Sequence, residues 1–308
     1  MDFSAFSAIF CPVMEANGFA QYTDEATAQR FHQLTERMLE VNQHMNLTAI
    51  KEPRAVILRH YADSLTVANL IPQNARVADI GCGAGFPSLP LAICRPDLRI
   101  LSLDSTAKRI RYVEETAAML GCDNLVAVAA RAEEAARGKE RESFDICTAR
   151  AVAALPVLAE LCLPFVRVGG KFLAMKARRG EEEWESAARA VARLGGKLIA
   201  RHHVTLTDEG EEDERIIFEI EKVKSPPPNS RAPSPRSAKT RFDLKFSRRD
   251  SQKHDPTPTK RVKISRNMHQ TRGKVYPWSA FCRQNSVTPR RFPPFFNILP
   301  LKYTQKHR

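Results

Sequence analysis

The residues from Val77 to Pro87, VADIGCGAGFP, place a short apolar strand directly before a glycine-rich turn. The strand runs into Asp79, and glycines stand at positions 81, 83 and 85. Glycine is needed at such a spacing where a chain turns sharply, adopts positive φ and lets a large group approach its backbone. The segment therefore indicates a site for a nucleotide-like ligand at the end of a strand.

The spacing of these glycines separates two classes of nucleotide site. The dinucleotide fingerprint G-x-G-x-x-G requires a third glycine at position 86, where this chain has Phe86. The pattern G-x-G-x-G, with Asp79 two residues ahead, resembles the S-adenosylmethionine loop of Rossmann-like methyltransferases. Phe86 thus disfavours a dehydrogenase. A glycine-rich turn has little specificity by itself, so the assignment depends on the chain that follows.

Strands and helices alternate after the loop. The pattern predicts strands over 98–103, 125–128, 144–150 and 168–176, helices over 105–120, 155–163 and 184–194, and a closing antiparallel pair at 197–206 and 215–223. Ligands of open α/β sheets bind beyond the carboxyl ends of the strands, which places Arg150 and residues 131–134 at the cofactor. Asp104 ends the second strand, where a ribose diol needs an acceptor; the alternative is that it caps the next helix. We predict an α/β fold with the seven strands of a methyltransferase sheet.

Seven motifs in the same order carry a more specific signal: MNLT at 45–48, RHYADS at 59–64, DIGCGAGFP at 79–87, LDS at 103–105, RAEE at 131–134, ARAVA at 149–153 and MK at 175–176. In these motifs the chain resembles the bacterial 16S ribosomal RNA guanine-N7 methyltransferases, also called the glucose-inhibited division protein B family. The resemblance extends from about residue 20 to about residue 224. It implies a class I methyltransferase sheet, S-adenosyl-L-methionine as cofactor, and 16S ribosomal RNA or the small ribosomal subunit as partner. Ser88 and Ala177 stand where the family usually has glycine.

The resemblance and the loop together give a candidate site. The expected cofactor-binding residues are Gly81, Gly83, Gly85, Phe86, Asp104, Ala132, Glu133 and Arg150. The expected substrate-binding residues are Asn46, Arg59, His60, Lys108, Arg109 and Lys176. For Glu133 we expect a contact with the adenine amino group or with backbone rather than general-base work. His60 and Asp63 share a helix face, so a hydrogen bond that docks this helix onto the sheet is the alternative to a substrate role.

The implied chemistry needs no catalytic acid or base. Guanine N7 has a free lone pair and no proton, so the enzyme must chiefly align N7, the methyl carbon and sulfur and keep water out. Such alignment can contribute up to roughly 7–11 kcal/mol. Carboxylates and carbonyls, for which Asp79 and the Gly81 carbonyl are candidates, would stabilise the sulfonium.

The net charge of +13 arises from the last quarter of the chain. Residues 225–308 contain 20 Lys and Arg against 3 Asp and Glu, whereas the rest contains 28 against 32. The folded part therefore supports only a local basic patch. Its candidate members are Lys51, Arg54, Arg59, Lys108, Arg109, Arg111, Lys176, Arg178 and Arg179.

The basic tail, residues 225–308, contains 12 of the 20 prolines and is expected to be disordered. Residues 229–243 can be encoded by a set of synonymous codons that also makes sense in the neighbouring reading frame. In that frame the same codons would be translated as KFPRAFAKISKDPL, followed by a stop codon. We hypothesise a one-base slip near the proline run at 226–228, so that the native protein would end near residue 242. The alternative is a genuine RNA- or membrane-binding tail that uses Trp278 and several phenylalanines.

The remaining features narrow the class of protein. Residues 1–70 are predicted to form a helical cap, with Pro53 breaking the helical pattern, and residues 71–224 the cofactor-binding core. The seven cysteines show no metal-ligand spacing, so we expect no metal and a reducing cytoplasm. Neither a signal peptide nor a membrane span is expected, and we expect a monomer.

Three function classes remain open on the sequence. The first is the rRNA methyltransferase. The others are a methyltransferase of the same fold with a small-molecule or protein substrate, and a non-catalytic RNA-binding or ribosome-assembly factor.

Overall fold

A computed structural model describes residues 1–225. Residues from 226 onward lie outside the described range. The predicted disorder of the basic tail and the hypothesis of a frame slip concern these residues.

The helices before the sheet begin at capping side chains. Helix α1 (Phe3–Ala16) starts where Asp2 accepts a hydrogen bond from the Ala5 amide at 2.8 Å, and α2 (Glu25–Met45) starts where Asp24 accepts one from the Thr27 amide at 3.0 Å. Helix α2 ends at Asn46, whose φ of 51° is left-handed. These caps fix where the chain enters and leaves each helix.

Pro53 begins a helix rather than only breaking one. It is the first residue of α3 (Pro53–Val56), which continues through a π-helical turn (Ile57–Ala62) into α4 (Asp63–Leu65). A proline fits this position because its missing N–H would have no partner in the first turn. The Glu52 side chain accepts from the two following amides, those of Arg54 and Ala55.

The core is a seven-stranded sheet in the order β3-β2-β1-β4-β5-β7-β6. Its strands are β1 (Arg76–Ile80), β2 (Arg99–Asp104), β3 (Leu125–Ala129), β4 (Phe144–Arg150), β5 (Val166–Ala177), β6 (Gly196–Asp208) and β7 (Glu211–Lys222). Neighbours from β3 to β5 are parallel, and β7 is antiparallel to both β5 and β6. The predicted Rossmann-like methyltransferase sheet is confirmed.

Helices cover both faces of the sheet. The connecting helices are α5 (Ser88–Cys94), α6 (Ala107–Met119), α7 (Ala132–Ala135), α8 (Leu155–Cys162) and α9 (Trp184–Arg193). Adjacent strand residues alternate between the faces: Ile217 joins the hydrophobic cluster of α1, α2, α5 and α6, and Phe218 joins that of α8 and α9. Phe6 of the predicted cap and Val77 of β1 lie in one cluster, so the two parts share a core. The boundary near residue 70 stays a prediction.

The order of the strands determines where a ligand can bind. The chain moves from β1 outward to β2 and β3, then returns to place β4 on the other side of β1. The connections leaving β1 and β4 therefore diverge, and an open crevice forms at the carboxyl ends of these two strands.

Candidate active site

An open cleft of about 540 Å³ lies at this switch point. Small-molecule sites usually span about 300–1,000 Å³. Of the predicted residues, those that line the cleft are His60, Gly81, Gly83, Phe86, Asp104, Arg109, Ala132, Glu133 and Arg150. Those that do not are Asn46, Arg59, Gly85, Lys108 and Lys176. The cleft thus collects most of the predicted cofactor-binding residues but few of the predicted substrate-binding ones.

The three loop glycines meet different surroundings. All have positive φ, +74° at Gly81, +56° at Gly83 and +87° at Gly85. A Cβ at Gly85 would lie 2.4 Å from Leu89 Cδ1, and one at Gly81 would lie 2.5 Å from Val152 Cγ2. A Cβ at Gly83 would have no atom within 4 Å. Gly85 therefore allows the loop to pack on α5, whereas Gly83 leaves its backbone open to the cleft.

Asp104 accepts backbone hydrogen bonds with both carboxylate oxygens. Oδ2 accepts from the Gly83 amide at 3.1 Å, and Oδ1 accepts from the Thr106 amide at 2.7 Å. Each carboxylate oxygen has more than one lone-pair site, so the group retains capacity to accept from a ligand hydroxyl. The alternative that Asp104 caps the next helix is wrong, because α6 begins at Ala107 with Thr106 as its N-cap, and the bond from the Thr106 amide lies in the turn before the helix. Ribose binding by Asp104 stays a prediction.

Asp79 lies beneath the loop rather than on the wall of the cleft. Its carboxylate accepts from the Ser88 amide at 3.2 Å and from the Thr148 hydroxyl at 3.4 Å. Burial raises the pKa of this carboxyl to about 7. Direct contact between Asp79 and a sulfonium therefore has no support in the geometry, because the carboxylate is engaged below the glycine loop.

Arg150 forms part of the opposite wall and connects it to the helical cap. Its Nη1 donates to Asp63 Oδ2 at 2.8 Å and to the Arg59 carbonyl at 3.0 Å, and its guanidinium lies 5.2 Å from the centroid of Phe86. The other Asp63 oxygen accepts from Arg215 Nε at 3.1 Å. The sequence analysis placed Asp63 on the same helix face as His60, but it assigned no role to Arg215. Asp63 joins the cap to the ends of two strands.

His60 is held as a neutral ring against the loop. It stacks on Phe86 with ring centroids 4.6 Å apart and planes 10° apart. Its Nε2 lies 2.8 Å from Thr48 Oγ1, and its Nδ1 lies 3.5 Å from Arg150 Nη2. Burial, followed by the Arg150 charge, lowers the pKa of His60 to about 3. The ring is therefore uncharged at neutral pH.

The predicted basic patch divides into two groups. Five members form ion pairs with acids: Arg54–Asp208 at 2.6 Å, Arg59–Asp213 at 3.5 Å, Arg109–Asp104 at 3.9 Å, Lys176–Glu183 at 3.0 Å and Arg178–Glu214 at 3.0 Å. Lys51, Lys108, Arg111 and Arg179 are exposed, and Arg109 lies in the cleft. The start of α6 therefore presents positive charge beside the cleft, whereas acids pair with Arg54, Arg59, Lys176 and Arg178.

Within residues 1–225, no helix is long and apolar enough to cross a membrane. The same residues contain no group of three or more His, Cys, Asp or Glu side chains placed to hold a metal ion.

The chain is similar in sequence to a known protein family. The GidB family model, described as rRNA small subunit methyltransferase G, matches residues 27–210. The Ribosomal RNA small subunit methyltransferase G of Geobacillus sp. (strain WCH70) is 44% identical over 224 residues, which are 72% of this chain and 92% of that protein. The protein of the same name from Geobacillus thermodenitrificans (strain NG80-2) is 43% identical over 221 residues, 71% of this chain and 91% of that protein.

A solved structure, M. jannaschii TYW2 in complex with AdoMet, has a TM-score of 0.43 and 15% identity over 52% of this chain and 74% of its own. That score is too low to bear on function. The family match includes the glycine loop, Asp104 and Arg150, and it spans more than half of the chain. This chain belongs to the rRNA small subunit methyltransferase G family.

Proposed function

We propose that this chain transfers the methyl group of S-adenosyl-L-methionine to N7 of a guanine in 16S ribosomal RNA. The observation that carries the proposal is a single cleft, at the switch point of the sheet, that contains Gly83, Asp104 and Arg150 in a chain of this family. The predicted site residues that line this cleft support the proposal.

The cofactor fits the residues of one end of the cleft. Gly83 has open space where a side chain would stand, and Asp104 lies beside it as an acceptor for ribose hydroxyls. Ala132 and Glu133 open helix α7 on the same side, and the small side chain of Ala132 leaves room for a base. When bound there, S-adenosylmethionine supplies a methyl group activated by the adjacent sulfonium.

The other end of the cleft suits a purine that gains positive charge. Phe86, stacked on His60, offers an apolar wall. The His60 ring is neutral, and Arg150 forms an ion pair at 2.8 Å with Asp63, which it shares with Arg215. These groups would exclude water and orient the base, whose N7 lone pair attacks the methyl carbon as the carbon–sulfur bond breaks.

The positive start of α6 is the surface that favours RNA. Lys108 and Arg111 are exposed there, and Arg109 reaches the cleft. We propose that this segment contacts phosphates next to the target nucleotide, since lysine and arginine supply most phosphate contacts. A substrate of this kind also places the enzyme in the cytoplasm.

The proposal is tested with the full-length chain, radiolabelled S-adenosylmethionine, and 16S rRNA or small subunits that lack the modification. We expect label in the RNA at a base that becomes sensitive to borohydride and aniline cleavage, which marks N7-methylguanine. Arg150→Ala tests the role of the arginine in the cleft. Arg178→Ala is its matched control, because the Arg178 side chain is 79% exposed, whereas that of Arg150 is 13% exposed. Cofactor binding without label in either RNA would favour a small-molecule or protein substrate instead.

A further inference from the structure

The hydroxyl of Thr48 has a fixed position on the wall of the cleft. Thr48 lines the cleft in the loop after α2. The buried side chain of Asn42 holds its backbone in both directions, since Nδ2 donates to the Thr48 carbonyl and Oδ1 accepts from the Thr48 amide, each at 2.9 Å. Thr48 Oγ1 also accepts from the Ile50 amide at 3.0 Å. Loop and side chain are therefore fixed together.

The contact between His60 and Arg150 determines where the imidazole proton lies. A guanidinium only donates hydrogen bonds, so we assign His60 Nδ1, 3.5 Å from Arg150 Nη2, as the acceptor in this contact. A neutral imidazole then carries its proton on Nε2. That N–H donates to Thr48 Oγ1 across 2.8 Å.

This arrangement uses both acceptor sites of the Thr48 hydroxyl. Oγ1 accepts from Ile50 and from His60, and a hydroxyl has two lone pairs and one proton. Within residues 1–225 we find no acceptor for that proton. The hydroxyl can therefore donate into the cleft, but it has no capacity left to accept.

We propose that the Thr48 hydroxyl donates to O6 of the target base and thereby selects guanine over adenine. This inference rests on the proposed function. At the base edge that carries N7, guanine presents the acceptor O6, whereas adenine presents an amino donor. A hydroxyl that can only donate forms a hydrogen bond with O6 of guanine and is repelled by the amino group of adenine. Leaving a buried polar group without its partner costs enough to lower recognition by about 5- to 100-fold.

The test compares methyl transfer by the full-length enzyme to 16S RNA with guanine or 2-aminopurine at the target position. 2-Aminopurine keeps N7 and lacks O6. We expect wild-type enzyme to be about 5- to 100-fold slower on 2-aminopurine. Thr48→Ser should keep that ratio, and Thr48→Val should bring it to about one by slowing transfer to guanine.

The ratio separates recognition from structural damage. Thr48→Val also removes the acceptor of Ile50 and His60, but a disturbed loop would slow both substrates equally and leave the ratio unchanged. An unchanged ratio in Thr48→Val, or a wild-type ratio of about one, overturns this inference while the proposed function stands. A wild-type enzyme that methylates neither RNA overturns the proposed function and this inference with it.

Discussion

Replacing Gly83 or Gly85 by alanine should separate cofactor binding from folding within one loop. The backbone at both positions is left-handed, which costs a non-glycine residue about 1–2 kcal/mol. At Gly83 the new methyl group meets no protein atom within 4 Å, so this is the whole cost to folding. At Gly85 it would lie 2.4 Å from Leu89 Cδ1, and Leu89 is fully buried, so overpacking adds about 1–3 kcal/mol.

Urea unfolding and calorimetric titration with S-adenosylhomocysteine measure the two effects. We expect Gly83→Ala to lose about 1–2 kcal/mol of unfolding free energy and at least about tenfold in affinity, because its methyl group occupies space that the ligand needs. Gly85→Ala should lose about 2–5 kcal/mol of unfolding free energy.

Gly121 provides the control, since its φ is +65° and a Cβ there also meets nothing within 4 Å, but it lies outside the cleft. Gly121→Ala should match Gly83→Ala in stability and the wild type in affinity. Wild-type affinity in Gly83→Ala would refute the assignment of this glycine to the cofactor.

Three further predictions concern charge. Because burial raises the pKa of Asp79 from 3.8 to about 7, its stabilising contribution is full below pH 3.8 and is lost as pH rises through 7; the urea midpoint of Asp79→Asn should therefore rise relative to wild type between pH 4 and 8, and a constant difference would contradict this. Lys222 is fully buried, forms an ion pair with Glu142 at 2.8 Å and donates to the Leu163 carbonyl at 2.9 Å, so Lys222→Ala should cost about 2–3 kcal/mol in thermal or urea unfolding, whereas exposed Lys224→Ala should change stability by less than about 0.5 kcal/mol. Arg150→Lys cannot reproduce the geometry of a guanidinium that contacts three acceptors, so methyl transfer should fall at least about tenfold; a rate within twofold of wild type would argue against that role.

The sequence predicted the sheet because its signals are local. Strands β1, β2 and β4 are short, largely apolar runs that end at or directly before a glycine or a charged residue, and these residues also mark the carboxyl ends where ligands bind. Asp104 and Arg150 could be placed at the cleft for this reason. The predicted strand over 144–150 coincides with β4 (Phe144–Arg150). Other strand ends differ from the prediction by up to four residues, as β7 (Glu211–Lys222) shows against the predicted 215–223, because pairing with β6 extends the strand.

The sequence could not predict contacts that depend on distant parts of the chain. Asn42 and Thr48 form a hydrogen-bonded loop whose partner His60 is brought to it by packing on Phe86. The motif MNLT marked the region, but no local pattern indicates which atom donates. Likewise, Arg59 was expected to bind substrate, yet its charge lies 3.5 Å from Asp213, an acid more than 150 residues away.

The link from Asp63 to Arg215 has a consequence for how the protein is made. The two residues are 152 positions apart, and Arg215 belongs to β7, which inserts between β5 and β6. During synthesis the glycine loop, Asp104 and Arg150 all emerge before this strand exists. A nascent chain at that stage can form the Arg150–Asp63 pair, but it lacks the second arginine that fixes the other carboxylate oxygen. The two arginine contacts of Asp63 are therefore complete only once β7 has paired with β5 and β6, and we expect this link between the cap and the cleft to form late in folding.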